Sequence, residues 1–184
     1  MKGIIFKKEM FDLVVMQSKT QTRRIIKPQP DFLSDNYKWA KKGNGDVILP
    51  RYGFGESVYI KEPFHNPDDF PIYYKYEKSA EWNGKVKWQN PRTMAARQAR
   101  YFIEITGVRC ETVQEISDAD CKAEGIICDS SGVNFRFYYK GAKYTYPTPR
   151  DAYAALFDKI NGKGSFEKNV WVWVYDFKLV KTNK

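Results

Sequence analysis

The sequence has very few of the residues on which metal sites and disulfide frameworks depend. Only three of its 184 residues are cysteines, at positions 110, 121 and 128, and it has a single histidine, His65. An odd number of cysteines without a Cys-x-x-Cys pair fits neither a disulfide framework nor a four-thiolate zinc site. A metal held by His65 with the nearby Asp68 and Asp69 is the weaker alternative, since such groups are common on solvated loops. We therefore expect reduced thiols, no metal and no cofactor.

Long apolar stretches are missing as well. A run of about 18 apolar residues, the length that a membrane-spanning helix needs, occurs nowhere in the sequence. The apolar stretch near the N-terminus is too short for the hydrophobic region of a secretory signal. Hydrophobic residues still make up 42% of the chain, which is too much for a disordered protein. We expect one soluble, cytoplasmic domain over residues 1–184, with no membrane partner.

Positive charge is what the sequence does have in excess. Lys and Arg total 31 and Asp and Glu total 22, so the formal net charge is +9. This favours a polyanionic partner only weakly. Residues 1–30 hold seven basic residues and two acids, whereas residues 111–124 hold five acids and one lysine. We expect one basic and one acidic face, although ordinary solvated surfaces would give the same composition.

Periodicity and turn residues predict about six strands and about three short helices. The helices are expected at residues 9–17, 117–125 and 149–161, from their apolar spacing and their capping residues. The strands are expected at residues 58–62, 71–76, 85–88, 101–113, 135–139 and 170–180, with a hairpin turn at 83–84. Helices fall between strands at irregular intervals, unlike a doubly wound sheet. This order predicts an α+β fold: a small, mixed, mainly antiparallel sheet or β-barrel with helices at its ends.

The most distinctive segment is a cluster of cations and hydroxyl groups at residues 19–24, called the motif below. It consists of Lys19, Thr20, Gln21, Thr22, Arg23 and Arg24. In an extended chain Gln21 and Arg23 share a face with Lys19, and a bend would bring Lys19 and Thr22 together. Three cations so close together favour a nearby anion, so the motif is interpreted in one of two ways. It is either a binding site for a phosphate or substrate, or a solvated basic edge strand.

Further segments follow the motif in a set order along nearly the whole chain. They are residues 27–28, a glycine turn and strand at 55–62, a long strand at 100–116, a helix end at 123–126, a second helix at 150–162 and a terminal strand at 169–174. In this order they resemble the ASCH domains, small PUA-like relatives of domains in RNA-modifying proteins. The resemblance is strongest to the branch found in phages and prophages.

The resemblance implies a small β-barrel with a cleft between barrel and helices. In the hydrolytic branch, which removes acyl groups from modified cytidine, a Lys and a Thr of the motif and a Glu of the long strand form the site. These positions correspond to Lys19, Thr22 and Glu104. A lysine base would need a pKa lowered by about three units from its usual value near 10.4, which burial or nearby cations would favour and an ionised Glu104 would oppose.

The candidate residues fall into two groups. Lys19, Thr22 and Glu104 are the catalytic candidates, and Glu62 is the substitute acid. Expected contacts to a substrate or nucleic acid are Thr20, Gln21, Arg23, Arg24, Glu62, Arg97 and Arg100.

Three hypotheses follow for function. The first is a domain that recognises RNA or a modified nucleoside in a basic cleft around the motif. The second is a metal-independent hydrolase on the same cleft, either an acetylcytidine amidohydrolase or a ribonuclease. The third is a phage accessory or assembly protein whose basic face binds a protein.

Overall fold

A computed structural model describes residues 1–33, 40–65, 73–76, 87–130, 132–140 and 142–180. The strands are β1 Gly3–Ile5, β2 Gln21–Ile25, β3 Phe32–Leu33, β4 Ala40–Lys41, β5 Val47–Ile48, β6 Ser57–Lys61, β7 Phe64–His65, β8 Tyr73–Tyr74, β9 Phe102–Thr112, β10 Ile127–Cys128, β11 Phe135–Tyr139, β12 Ala142–Tyr146 and β13 Trp171–Val180. The helices are α1 Lys8–Val15, α2 Asp118–Ala123 and α3 Pro149–Asn161, with 3₁₀ turns at Pro91–Thr93, Ala96–Gln98 and Val113–Glu115.

A five-stranded sheet in the order β1-β6-β9-β13-β2 organises the molecule. β1 runs parallel to β6, and every other pairing in this sheet is antiparallel. Smaller antiparallel sheets are formed by β10-β11-β12, by β3-β4-β5 and by β7-β8. The predicted α+β class, with a small, mixed and mainly antiparallel strand arrangement, is confirmed.

The two edges of the central sheet meet through a side chain. Among the described strands, β1 and β2 each pair with only one neighbour, so main-chain pairing leaves this sheet open there. Arg24, on β2, donates a hydrogen bond from Nη2 to the carbonyl of Ile5, the last residue of β1, at 2.9 Å. This contact, called the seam below, joins the edge strands where a barrel would have a strand ladder.

All three predicted helices are present, and the caps predicted for α2 and α3 form. The Ser117 hydroxyl accepts a hydrogen bond from the Asp120 amide at the start of α2. The Thr148 hydroxyl accepts one from the Asp151 amide at the start of α3. None of the helices in the described part of the chain is long and apolar enough to cross a membrane.

Several short strands were not predicted. β3, β4, β5 and β10 have two residues each, which is too short to leave an alternating pattern in the sequence. The predicted turn at 83–84 and the beginning of the strand at 85–88 lie outside the described residues. The bridge observed nearby joins Phe64 to Gln89.

Most of the aromatic rings in the described part of the chain serve packing. Phe137 is fully buried and stacks with Tyr144 and Tyr146 at centroid distances of 5.2 and 5.9 Å. The three cysteines are free, as expected, and Cys110 and Cys121 are buried.

Candidate functional site

The motif begins with a buried ion pair. The ammonium of Lys19 contacts the side-chain carboxylate of Glu124 at 2.5 Å and donates a second hydrogen bond to the Glu124 carbonyl at 2.6 Å. Lys19 is 3% exposed and Glu124 is 4% exposed. Burial lowers the pKa of Lys19 and outweighs the opposing effect of the Glu124 carboxylate. Lys19 is therefore easier to deprotonate than an ordinary lysine, and it is held in place by an acid from another element.

Arg23 is surrounded by acids in the same way. Its Nε and Nη2 both donate to the Glu111 carboxylate, at 2.9 and 2.6 Å. Nη2 lies 3.2 Å from the Asp120 carboxylate and Nη1 lies 3.4 Å from that of Glu124. The Arg23 side chain has no solvent-exposed surface. Its guanidinium is thus fully occupied within the protein and presents no open fork to a phosphate in solvent.

The acids are in turn shared with Arg109 and Gln21. Arg109 bonds Glu111, Asp120 and Asp176, at 2.9, 3.1 and 3.1 Å. Gln21 donates from Nε2 to Asp120 and Asp176, and its Oε1 accepts from Arg23. We call this set the ion-pair network: Lys19, Gln21, Arg23, Arg109, Glu111, Asp120, Glu124 and Asp176.

This network changes the expected distribution of charge. The basic run at residues 1–30 and the acidic run at 111–124 were expected on two different faces. Lys19 and Arg23 of the first run instead contact Glu111, Asp120 and Glu124 of the second. The expectation of separate faces is wrong for these residues, because α2 and the residue after it pack against the start of β2.

Beside the network lies a cavity of about 420 Å³, called the motif cavity below. It lies between β2, α3 and the connection from β1 to α1. The lining residues from the motif are Lys19, Thr22, Arg23 and Arg24. Apolar walls are supplied from α3 and from the β1–α1 connection by Leu156, Phe157, Ile160 and Phe6. Lys19 and Thr22, which a bend was expected to bring together, both line this one space.

Two hydroxyl groups without a hydrogen bond to another described residue belong to residues that line the motif cavity. Thr22 is 5% exposed and Tyr153, on α3, is 3% exposed, and neither hydroxyl has a hydrogen-bond partner among the described residues. The guanidinium of Arg23 lies over the Tyr153 ring, 5.8 Å from its centroid. Burial raises the pKa of Tyr153 well above its usual value, so the phenol stays protonated. Both groups are therefore able to donate to and accept from a ligand.

Glu104, the expected third catalytic residue, lies elsewhere. It is on β9, pairs with Lys178 across the sheet at 3.1 Å, and does not line the motif cavity. The carboxylate that the structure places on Lys19 belongs to Glu124. Sequence reasoning included Glu124 in the matched helix end at 123–126 but assigned it no role.

The remaining candidates are also outside the motif cavity. Glu62 is fully buried and forms a two-point ion pair with Arg100, with both N···O distances 2.8 Å. Arg97 is exposed on the 3₁₀ turn Ala96–Gln98 and does not line the cavity. Thr20 faces solvent next to the motif residues that are buried.

Tyr153 was also missed, because it was assigned only to the apolar stripe of α3. That stripe does pack on the core, but it brings one phenol to the motif. Among the described residues no three His, Cys, Asp or Glu side chains are grouped as metal ligands would be, and Asp68 and Asp69 lie outside those residues.

Comparison with known proteins gives one distant likeness. No family model and no curated protein sequence matches the chain. Among solved structures the chain is similar to protein EF3133 from Enterococcus faecalis V583, which is described as a DUF984 protein. The two chains are 13% identical, with a TM-score of 0.43 over 98% of this chain and 81% of the other. A likeness this distant does not bear on the site.

Proposed function

We propose that the protein recognises a modified nucleoside, or one nucleotide of an RNA, in the motif cavity. The observation that carries the proposal is the presence of two hydroxyls, on the buried residues Thr22 and Tyr153, that have no hydrogen bond to another described residue and belong to residues that line the motif cavity. Its volume of about 420 Å³ falls within the range of about 300–1,000 Å³ that is usual for small-molecule sites. The ASCH-like order of the sequence motifs supports a nucleoside as the ligand class.

The ion-pair network sets the kind of recognition. Since Lys19 and Arg23 are neutralised by acids of the same chain, the part of the lining around Thr22 and Tyr153 offers shape, apolar walls and two hydroxyls, and the remaining positive charge comes from Lys7, Arg24 and Arg92. An uncharged, flat, hydrogen-bonding group such as a nucleobase suits that lining. Thr22 and Tyr153 would bond the edge of the base, and Phe6 and Phe157 would cover its faces.

A thermal-shift screen with cytidine, acetylcytidine and other nucleosides tests this proposal, followed by titration of any hit. Thr22→Val removes the cavity hydroxyl while keeping the shape, and we expect it to weaken binding about five- to tenfold, the usual effect of one hydrogen bond. Thr145→Val is the matched control, because Thr145 is an exposed strand residue on β12. A screen without a hit, or equal affinities of Thr22→Val and the unmodified protein, would contradict the proposal.

Hydrolysis is the second candidate. It is favoured by one contact: the Lys19 amine touches the Glu124 carboxylate in the same cavity that holds the free Thr22 hydroxyl. A water held by Thr22 would attack the acyl carbon, and the Lys19–Glu124 pair would carry its proton to the departing amine, which releases cytidine and acetate. If Thr22 itself attacks, the acyl group passes to its oxygen as cytidine departs, and a water then hydrolyses that ester to release acetate. Chromatography of acetylcytidine before and after incubation measures the step directly. If cytidine and acetate are released and Thr22→Val suppresses their release, the hydrolysis proposal is supported. If acetylcytidine binds without being cleaved, only the recognition proposal remains.

A further inference from the structure

A second cavity lies on the other side of the seam. Its volume is about 690 Å³, and it opens between the edge strands β1 and β2. We call it the seam cavity. Ile5, Arg24, Ile25 and Arg92 line both this cavity and the motif cavity. The hydrogen bond from Arg24 to the Ile5 carbonyl therefore forms part of the partition between two adjoining spaces.

The lining of the seam cavity carries charge of one sign. Among the described residues it includes five cationic residues and no Asp or Glu. The cationic residues are Arg24, Lys27, Arg51, Lys61 and Arg92. The motif cavity differs in that Glu124 is among its lining residues and pairs with two of its cations, Lys19 and Arg23.

These five side chains form no ion pair with a carboxylate of the described residues. The ammonium of Lys61 donates to the Arg92 carbonyl at 2.9 Å, and the Arg24 guanidinium donates to the Ile5 carbonyl. The buried Nε of Arg24 has no hydrogen-bond partner in the described part of the chain. Like charges around one space repel each other unless an anion enters it, and guanidinium groups bind phosphate with paired hydrogen bonds.

Three aromatic residues line the seam cavity, and both of their hydroxyls are engaged in hydrogen bonds to the main chain. Tyr52, Trp173 and Tyr175 are all buried there. The Tyr52 hydroxyl donates to the Gly3 carbonyl, and that of Tyr175 accepts from the Arg51 amide, both at 3.0 Å. The polar groups that this cavity offers to a ligand are thus mainly its cations. Such a lining favours an anion over a neutral sugar or base.

We propose that the seam cavity binds a phosphate group of a nucleotide whose base lies in the motif cavity. This rests on the proposed function, and it makes the ligand a phosphorylated nucleoside, either free or as part of an RNA strand. Arg24 and Arg92 line both spaces and so lie where base and phosphate would be joined. The exposed Lys27 and Arg51 line the seam cavity but not the motif cavity, so they would contact the phosphate and not the base.

The test compares the affinity for cytidine with that for cytidine 5′-monophosphate in three proteins. They are the unmodified chain, the double variant Lys27→Gln/Arg51→Gln, and the control Lys143→Gln/Lys168→Gln, which removes two exposed charges outside both cavities. We expect the phosphate to raise affinity at least tenfold in the unmodified chain and in the control. In the Lys27/Arg51 variant we expect that gain to fall to threefold or less, with cytidine affinity unchanged. A monophosphate that binds no better than cytidine, or a gain retained in that variant, would overturn the proposal.

Two further measurements identify the source of the phosphate and distinguish a failure of this proposal from a failure of the proposed function. A short single-stranded RNA that binds tighter than the monophosphate, with a steeper loss in salt, assigns the phosphate to a strand, and the reverse order assigns it to a free nucleotide. If no nucleoside binds, pyrophosphate is the probe. If pyrophosphate raises the melting temperature and Lys27→Gln/Arg51→Gln abolishes that rise, the anion site is supported although the nucleoside proposal fails. If neither pyrophosphate nor cytidine 5′-monophosphate raises the melting temperature, the anion site is contradicted as well.

Discussion

At the residue scale, the Lys19–Glu124 ion pair determines how the motif can be tested. Both side chains are buried, so removing Lys19 leaves Glu124 with only its 3.4 Å contact to Arg23, and removing Glu124 takes away the carboxylate that pairs with Lys19 in the interior. Such a change usually costs about 3–5 kcal/mol, whereas replacing both partners by apolar groups costs much less. Loss of function on changing Lys19 would therefore not by itself show that Lys19 is catalytic. Thr22, whose hydroxyl bonds nothing in the described structure, is the cleaner position.

We predict that Lys19→Met lowers the free energy of unfolding by about 3–5 kcal/mol, because Glu124 remains buried and keeps only its longer contact to Arg23, at 3.4 Å. Urea unfolding measures this. The double variant Lys19→Met/Glu124→Leu should recover a large part of the loss. A single-variant cost below about 1 kcal/mol, or a double variant as unstable as the sum of the singles, would contradict the buried pair.

Asp120 gives the network a characteristic dependence on acid. Burial alone would raise the pKa of its carboxyl, but the hydrogen bond from Gln21 and the charges of Arg23 and Arg109 lower it to about 2 from its usual 3.8. The ionised form is therefore favoured by folding. Its contribution is complete above the usual pKa and is lost as the pH falls from about 4 to about 2.

We predict that Asp120→Asn is less stable than the unmodified protein near neutral pH and that this difference shrinks between pH 4 and pH 2. The reason is that the unmodified carboxylate becomes protonated in this window while the amide does not titrate. Unfolding free energies measured from pH 2 to pH 6 give the difference directly. A difference that stays constant across the window would show that Asp120 is not stabilised in its ionised form.

The sequence predicted part of this site and missed its partner acid for a definable reason. Alternation along β2 correctly placed Gln21 and Arg23 on the side of Lys19, because it depends only on local geometry. The acid on Lys19 is 105 residues away, and no local pattern indicates which distant carboxylate folds onto it. Glu104, taken from the resemblance, pairs with Lys178 instead.

At the element scale, the end of α2 positions the acid of the site. Gly125 follows Glu124 with a φ of +101°, a backbone conformation that L side chains rarely adopt. A Cβ added there would lie 2.8 Å from Leu13 Cδ1 and 3.7 Å from the Lys19 side chain. The helix stop predicted from this glycine is thus also the turn that brings Glu124 to the motif.

We predict that Gly125→Ala lowers the free energy of unfolding by about 1–3 kcal/mol through backbone strain and the close approach to Leu13. It should also weaken nucleoside binding, since it displaces Glu124 at the cavity wall. Gly53→Ala is the control, because its Cβ would meet nothing within 4 Å and its φ is not positive. Equal stability of the two variants in urea would contradict a positioning role for Gly125.

Elements with strong local rules were predictable and very short ones were not. The caps at Ser117 and Thr148 identify α2 and α3, since a capping hydroxyl depends on its own neighbourhood. The two-residue strands depend on pairing with distant chain, for which propensity gives no usable signal. The edge contact between Arg24 and Ile5 also lay beyond sequence reasoning, because it depends on how the sheet curves.

At the scale of the whole molecule, the net charge of +9 proves to be a poor guide to where an anion binds. Lys19 and Arg23, two cations of the motif that were expected to bind an anion, form ion pairs with acids from the run at 111–124. Cations without a carboxylate partner in the described part of the chain gather around the seam cavity instead, from segments widely spaced along the chain. Composition records how many charges there are, and only the fold determines which of them cancel.

The most direct test of this account is calorimetric titration of the unmodified protein and of Thr22→Val with acetylcytidine, at about 50 mM and about 200 mM salt. Because Lys19 and Arg23 are already neutralised and acetylcytidine carries no charge, we predict an affinity that changes less than twofold with salt and falls about five- to tenfold in Thr22→Val. Binding that weakens steeply with salt and is unaffected by Thr22→Val would place recognition on exposed cations. The absence of binding in the unmodified protein at both salt concentrations would contradict the account as well.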